Sequence, residues 1–304
     1  MIISRLRCAA LFLVVGSVVE LPALGHTPSP IALQAIVSFL RSLDCRSARV
    51  GDVELKYGKK VREHPFRPPQ RPEDLMAYIQ SSLLQSSTFI SYQNLWHYFN
   101  PDVRIAEGQS ADKQMAINTF LMNVMNTTVF QKAWKFLQNY QLVNATSSAD
   151  ILNTLNTMWF GLYTRDREGS GALGSSGFEH VFIGEWETSG KVGGQHHWAR
   201  YFQLQQAKSI VYNGYIEEDG FLQCTIQYSW SNYKKPIGGF LVGTSIEFDF
   251  SLFTLCWFAY PNSENCKFML SGYPTVVVVY RGQGADSKYV ATTYPKIAGK
   301  RHTS

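Results

Sequence analysis

Between Phe178 and Trp198 the chain reads FEHVFIGEWETSGKVGGQHHW and carries His180, His196 and His197, three of its seven histidines. Histidine is the side chain best placed to give and take a proton near neutral pH. Two of them on opposite sides of a scissile bond can act as base and acid. A lysine can then stabilise charge that builds on a phosphoryl group. On RNA that set suffices: one histidine deprotonates a ribose 2′-hydroxyl, which attacks the adjacent phosphorus, and the other protonates the departing 5′-oxygen. Spacing alone favours a plainer reading, in which each histidine is packed or solvated.

Other chemistries are served less well. Zinc wants converging His or Cys, often at i, i+4 on a helix or as a close Cys pair. Neither spacing occurs, and the adjacent His196 and His197 point in different directions on any regular element. The chain has no GxSxG elbow, no cysteine in an activating context, no phosphate loop and no dinucleotide fingerprint.

The elements that must position these residues change in character along the chain. From 72 to about 163 the apolar period is helical: Ile117, Phe120, Leu121, Val124 and Met125 form one stripe, Val129, Ala133, Trp134 and Leu137 another, and Ile151, Leu155, Met158, Trp159 and Leu162 a third, with Ser147 or Ser148 as its cap. These stripes read as core faces. After REGSGALGSSG short strand-like runs take over: VFIGEWE, SIVYNGYI, FLQCTIQYSW, TVVVVY and KYVATTY. Two helices are embedded among them, WARYFQLQQAK and one opening at TSIE, where Thr244 and Glu247 have capping-box spacing. Helices first and strands after predict an α+β fold: a mostly helical N-terminal region, then an antiparallel-sheet-rich region with two embedded helices.

Hydrophobic residues make up 45% of the 304 and charged residues 17%, which supports a sizeable core and argues against disorder. A net charge of +5 permits a polyanionic partner without demanding one. At the N-terminus Arg5 and Arg7 precede an apolar run from Cys8 to Val19, too short for the roughly 20 residues of a membrane span. With small residues at Ala23 and Gly25 this is the layout of a secretory signal over 1–25, so a secreted chain with no membrane span after its removal is expected. Four cysteines then remain, Cys45, Cys224, Cys256 and Cys266, with three possible pairings, of which the local pair Cys256–Cys266 is favoured. Sequons at Asn126 and Asn144 agree with export and glycosylation. Residues 26–67 read as an extension, closed by the proline-rich EHPFRPPQRP, ahead of a domain over 68–298.

Five stretches occur in order: SGFEHVFIGE (Ser176–Glu185), GGQHHW (Gly193–Trp198), YSWSNYKKPIGG (Tyr228–Gly239), GTSIEFDFSLFTLCW (Gly243–Trp257) and KYVATTY (Lys288–Tyr294). Together they resemble the EndoU family of endoribonucleases. The resemblance implies a catalytic trio of His180 as general acid, His196 as general base and Lys235 as charge stabiliser. Lys235 is preferred to Lys234 by its spacing from Trp230. The family's second histidine motif departs here at Gln195 and at His197, which takes the usual Asn position. The resemblance also implies single-stranded RNA as partner, cleavage preferring uridylates and leaving 2′,3′-cyclic phosphate and 5′-hydroxyl ends, and a monomer. It implies that Thr292 and Tyr294 help hold the base. Gly239 stands where a polar side chain is linked to uracil preference, and so predicts a relaxed preference. Glu179 and Glu185 match positions tied to Mn²⁺-dependent activity. Gly190, Gly193 and Gly194 are expected to let the backbone approach a phosphate closely. The competing class is a binding module of the same fold with impaired catalysis, for which Gln195, His197 and Gly239 speak.

Overall fold

The computed structural model describes residues 26–69, 71–166, 169, 171–220 and 222–298. The signal segment expected over 1–25 lies outside the described residues. Among those residues no helix is long and apolar enough to cross a membrane.

Helix α1 (Pro30–Leu43) starts with Ser29 as its cap and Pro30 in its first turn, where a missing N–H costs nothing. Its buried Leu33, Val37 and Leu40 recur at helical spacing. The paired strands β1 (Val53–Leu55) and β2 (Met76–Ile79) follow. Four helices come next: α2 (Ser87–Leu95), α3 (Ala111–Met125), α4 (Thr128–Asn139) and α5 (Ser148–Leu155). The first two expected stripes are the buried faces of α3 and α4; of the third, Leu155 is buried on α5, Met158 and Trp159 lie on the π-helical turn Asn156–Phe160 that follows it, and Leu162 stands beyond the helix. Ser147 is the α5 cap, accepting from the Asp150 N–H.

Four two-residue strands then frame the histidines: β3 (Leu162–Tyr163) pairs with β4 (Ser175–Ser176), and β5 (Glu185–Trp186) with β6 (Val192–Gly193). Helix α6 (Trp198–Gln206) leads into an antiparallel meander of β7 (Ile210–Glu218), β8 (Gln223–Trp230) and β9 (Tyr233–Leu241). Helix α7 (Ile246–Ala259) connects it to a second meander, β10 (Ser263–Leu270), β11 (Tyr273–Arg281) and β12 (Val290–Ile297). The fold is α+β, as expected.

Helix α7 is buried at every residue except Phe258 and packs against α2, α4 and β11. A helix apolar all round belongs in a core. Its cap is Ser245, which accepts from the Phe248 N–H, rather than Thr244. Glu247 does not close a capping box; its carboxylate takes Arg46 and Thr88 instead.

Residues 26–67 are part of this packed body. Gln34 on α1 exchanges hydrogen bonds with both backbone groups of Met269 on β10, Tyr260 donates to the Pro28 carbonyl, and Val61 bonds Tyr215 on β7. Cys256 and Cys266 form a disulfide, which ties the end of α7 to β10, and Cys224 is a buried free thiol.

Candidate active site

His180 is expected at the start of the strand read in VFIGEWE. It lies instead on a π-helical turn, Glu179–Ile183, which ends at Gly184. Such wide turns recur at functional sites because they re-aim one side chain. The positive φ of Gly184, 93°, and the 2.8 Å that would separate a Cβ there from Gln195 explain the stop.

The second histidine is brought opposite by a backbone clamp. The Gln195 N–H donates to the His180 carbonyl at 2.8 Å, and the His196 N–H to the Val181 carbonyl at 2.6 Å. Gly194 makes the clamp possible, since a Cβ there would lie 1.6 Å from the His180 carbonyl oxygen. The need for glycine at 194 is thus set by the histidine turn, not by a phosphate. A Cβ at Gly193 would meet the Glu187 carboxylate, and one at Gly190 would meet nothing. The two imidazole centroids end 6.4 Å apart.

Different groups hold the two rings. His180 Nδ1 is 2.7 Å from Glu185 Oε2. Glu185 in turn accepts from Ser175 and lies 3.3 Å from Arg165, whose guanidinium also bonds the Tyr163 hydroxyl and the Ala291 carbonyl. His196 Nδ1 lies 2.9 Å from the Gly239 carbonyl oxygen. A carbonyl only accepts, so Nδ1 carries the proton and Nε2 is the basic nitrogen. Tyr294 stacks on His196 with centroids 5.0 Å apart. Thr292 and Tyr294 alternate along β12 and therefore share the face that lines the cleft.

Lys235 enters from β9 beside a bulge opposite Gln227, which accommodates Pro236 and turns the lysine inward. Its Nζ donates to the carbonyls of Val192 and Gly194 at 3.1 and 2.6 Å. Burial lowers its pKa to about 8, with Glu187 and Glu185 opposing. Lys234 is exposed, over the Phe66 ring. Burial, aided by the cations Arg165 and Lys235, pushes His180 well below the ordinary imidazole value. Burial and Lys235 do the same to His196. His180, His196, Lys235, Thr292, Tyr294, Gly194 and Gly239 all line one cleft of about 780 Å³.

His197 lies outside it. The ring is buried, accepts from the Ala199 N–H as the α6 cap, and is pushed down to about 3 by burial. Gln195 is buried as well, accepting from Tyr228 at 2.5 Å. Trp198 packs beneath as core and donates to the Thr244 carbonyl.

The carboxylates expected to hold Mn²⁺ do not make a site for it. Such a cation needs several converging oxygens. Glu185 is engaged with His180, Ser175 and Arg165. Glu179 is buried with neither carboxyl oxygen partnered, and burial and Glu185 push its pKa well up, towards the neutral acid. Among the described residues no three His, Cys, Asp or Glu side chains converge on a common point.

Arg165 and Ser175 go unread in the sequence, and Glu187, one of three glutamates between Phe178 and Trp198, is assigned no role there. Arg165 and Ser175 flank a Gly/Ser-rich stretch that resembles a linker, and no local signal marks them.

Two facing imidazoles, each tied through Nδ1, with a buried amine beside them, are an arrangement capable of general acid–base chemistry, on an α+β scaffold. Residues 32–295 match the family model of Endoribonuclease XendoU, so the chain belongs to the XendoU (EndoU) family. A uridylate-specific endoribonuclease C of Xenopus laevis is 31% identical over 277 residues, covering 86% of this chain and 88% of that protein. A uridylate-specific endoribonuclease of Bos taurus is 30% identical over 272 residues, covering 86% of this chain; this chain spans 64% of the bovine protein's length. The solved structure of XendoU, a splicing-independent snoRNA-processing endoribonuclease, superposes with a TM-score of 0.71 at 25% identity, covering 88% of this chain and 97% of that one.

Proposed function

We propose that the protein cleaves single-stranded RNA after uridylates by attack of the 2′-hydroxyl on the adjacent phosphorus. The observation that carries this reading is the pair of histidines facing one cleft with Nδ1 of each engaged. Each ring thereby offers Nε2 to a substrate, on either side of a phosphate-sized gap.

His196 is neutral at pH 7, since its pKa is depressed, and Nε2 takes the 2′-hydroxyl proton. The 2′-oxygen bonds to phosphorus and the P–O5′ bond breaks. His180 delivers a proton from Nε2 to the 5′-oxygen. That ring is neutral in the free protein. The substrate phosphate offsets the cations Arg165 and Lys235 and favours the imidazolium, while Glu185 holds Nδ1. Lys235 stabilises the charge on the non-bridging oxygens. The products are a 2′,3′-cyclic phosphate and a 5′-hydroxyl. Gln195 and His197 lie behind the cleft, so the departures at those positions leave the trio intact.

The chain is read as exported. The charged-then-apolar layout of 1–25 supports this, as do the Cys256–Cys266 disulfide and the exposure of both sequon asparagines, Asn126 and Asn144.

The test is to incubate the protein with a uridine-containing oligonucleotide, with and without Mn²⁺, and to identify the ends by mass spectrometry. A 2′,3′-cyclic phosphate and a 5′-hydroxyl are expected in both arms. Ends bearing a 3′-hydroxyl and 5′-phosphate would overturn the mechanism.

A further inference from the structure

A second groove, of about 980 Å³, lies beside the cleft: Arg62 and His64, which line the groove, flank Glu63, which lines the cleft. One wall draws on the stretch KYGKKVREHPFRPPQR, whose Lys59, Lys60, Arg62, Arg67 and Arg71 line the groove together with Glu73. The stretch carries six basic residues against the single acid Glu63, and so matches the net +5 of the entire chain. Lys59, Lys60, Arg62, Arg67 and Arg71 are exposed. Among the described residues none of the five forms an ion pair.

The segment is not a loose basic tail. The Val61 N–H donates to the Tyr215 carbonyl at 2.8 Å, and the Tyr215 N–H to the Lys59 carbonyl at 3.1 Å. Gly214 on β7 permits this contact: its φ is 142°, and a Cβ there would lie 2.3 Å from the Lys59 carbonyl oxygen. The buried Gln227 amide donates to the carbonyls of Glu63 at 3.0 Å and Pro236 at 3.4 Å. Glu63 and Pro236 both line the catalytic cleft, so one glutamine joins the basic wall to the bulge that aims Lys235. Aromatic faces lie beneath the cations: Lys234 is over Phe66 at 5.7 Å, and Lys60 over Tyr215 at 5.9 Å.

Cations without ion-pair partners on an anchored backbone, beside aromatic faces and next to the cleft proposed to cleave a phosphodiester, are the elements of a single-strand track. We propose that this groove binds the phosphates of nucleotides flanking the cleaved one. Lys59, Lys60 and Arg62 contact the backbone, and Phe66, whose ring lies beneath Lys234, offers its exposed part to a base. The proposal rests on the RNA-cleaving reading above and extends it to substrate length.

The experiment compares uridylyl-adenosine with an RNA of about 12 nucleotides holding one uridine, a length within the range such tracks cover. Both are measured across a salt series on the wild type and on Lys59→Gln/Lys60→Gln/Arg62→Gln. For the long RNA, KM should rise about tenfold with kcat retained. The slope of log KM against log salt should flatten by up to about 2, at roughly 0.7 per lost single-strand phosphate contact. The dinucleotide should be unaffected. Phe66→Ala should weaken the long RNA without changing the slope. A triple variant that impairs both substrates alike, or neither, overturns the track. If the wild type cleaves neither substrate, the catalytic reading fails, and anisotropy of the labelled long RNA decides the groove alone: the triple variant must bind more weakly. A variant that loses binding to a sulfated polysaccharide while keeping RNA affinity assigns the groove to another polyanion and overturns the proposal.

Discussion

The two walls of the cleft hold their histidines by opposite means. On the π-turn wall, His180 meets a carboxylate that is itself held by Ser175 and Arg165, so its partner is ionisable and lies in a side-chain network. On the sheet wall, His196 meets a backbone carbonyl of β9 and the face of Tyr294, both neutral. The difference suits a division of labour. A base needs one fixed tautomer and no proton, which a carbonyl enforces. An acid needs a proton it can release, and a carboxylate at Nδ1 is the group that can favour the imidazolium when phosphate arrives.

The largest effects should come from removing the histidines or the lysine. His180→Ala, His196→Ala and Lys235→Ala should each lower kcat by about 10²–10⁴-fold, the usual range for general acid–base groups. As members of one unit, their double variants should be little worse than the singles. His197→Ala sharpens the assignment. Its ring caps α6 inside the core, so the change should cost about 1–2 kcal/mol in thermal or denaturant unfolding while the folded enzyme keeps its turnover. An inactive His197→Ala alongside an active His196→Ala would shift the sheet wall by one residue.

Next come the supports. Glu185→Gln attacks the π-turn wall alone and should lower kcat by about tenfold to a hundredfold, as losses of a carboxylate that orients a histidine do. KM should hardly move, and the acidic side of the pH–rate profile should shift. The sheet wall has no equivalent, because no side-chain change deletes a carbonyl. Similar losses in KM and kcat would make Glu185 a general structural support instead.

In the proposed mechanism Lys235 sets the alkaline side. Its amine is charged below about 8 and loses its charge as pH rises through that value, so activity should fall above about pH 8. Glu187 and Glu185 favour the charged form, and Glu187→Gln should therefore move the alkaline fall to lower pH. A fall that stays in place would detach Lys235 from the limb.

The two walls were unequally legible in the sequence. The residue types of the trio stand in motifs, and the spacing from Trp230 selects the lysine that the bulge turns inward. The π turn was hidden because VFIGEWE has the β-branched and aromatic content of a strand; tertiary packing around the Gly194 clamp overrides that propensity. β9 was hidden by Pro236, Gly238 and Gly239, which read as a break and are tolerated at the bulge and edge. In β10 the alternating burial of Cys266, Phe268 and Leu270 was a usable signal, masked by the turn-like residues before it. Arg165 and Ser175 reach Glu185 through contacts between residues ten or more apart in the chain, which no local pattern encodes.

The smallest expected effect lies at Gly239, where the sheet wall adjoins the proposed base site. Its carbonyl holds His196, and the residue lines the cleft close to Thr292 and Tyr294. With no side chain it offers the base no hydrogen bond of its own. One such bond is worth about 0.5–1.5 kcal/mol, so its absence costs at most about tenfold in discrimination. Wild-type protein should therefore prefer uridine yet cleave measurably after cytidine. Gly239→Ser should raise the uridine-to-cytidine ratio of kcat/KM by no more than about tenfold. The added Cβ would come 3.1 Å from the Pro295 carbonyl oxygen on β12, so that strand must give by a few tenths of an ångström. Because the same strand carries Tyr294, which stacks on His196, a slight fall in kcat should accompany the gain in selectivity. Competing oligonucleotides that differ only at the cleaved nucleotide measure both quantities. Equal cleavage after purines and pyrimidines would remove the base-holding role of this wall. An absolute uridine requirement in the wild type would show that Thr292 and Tyr294 supply the selectivity without residue 239.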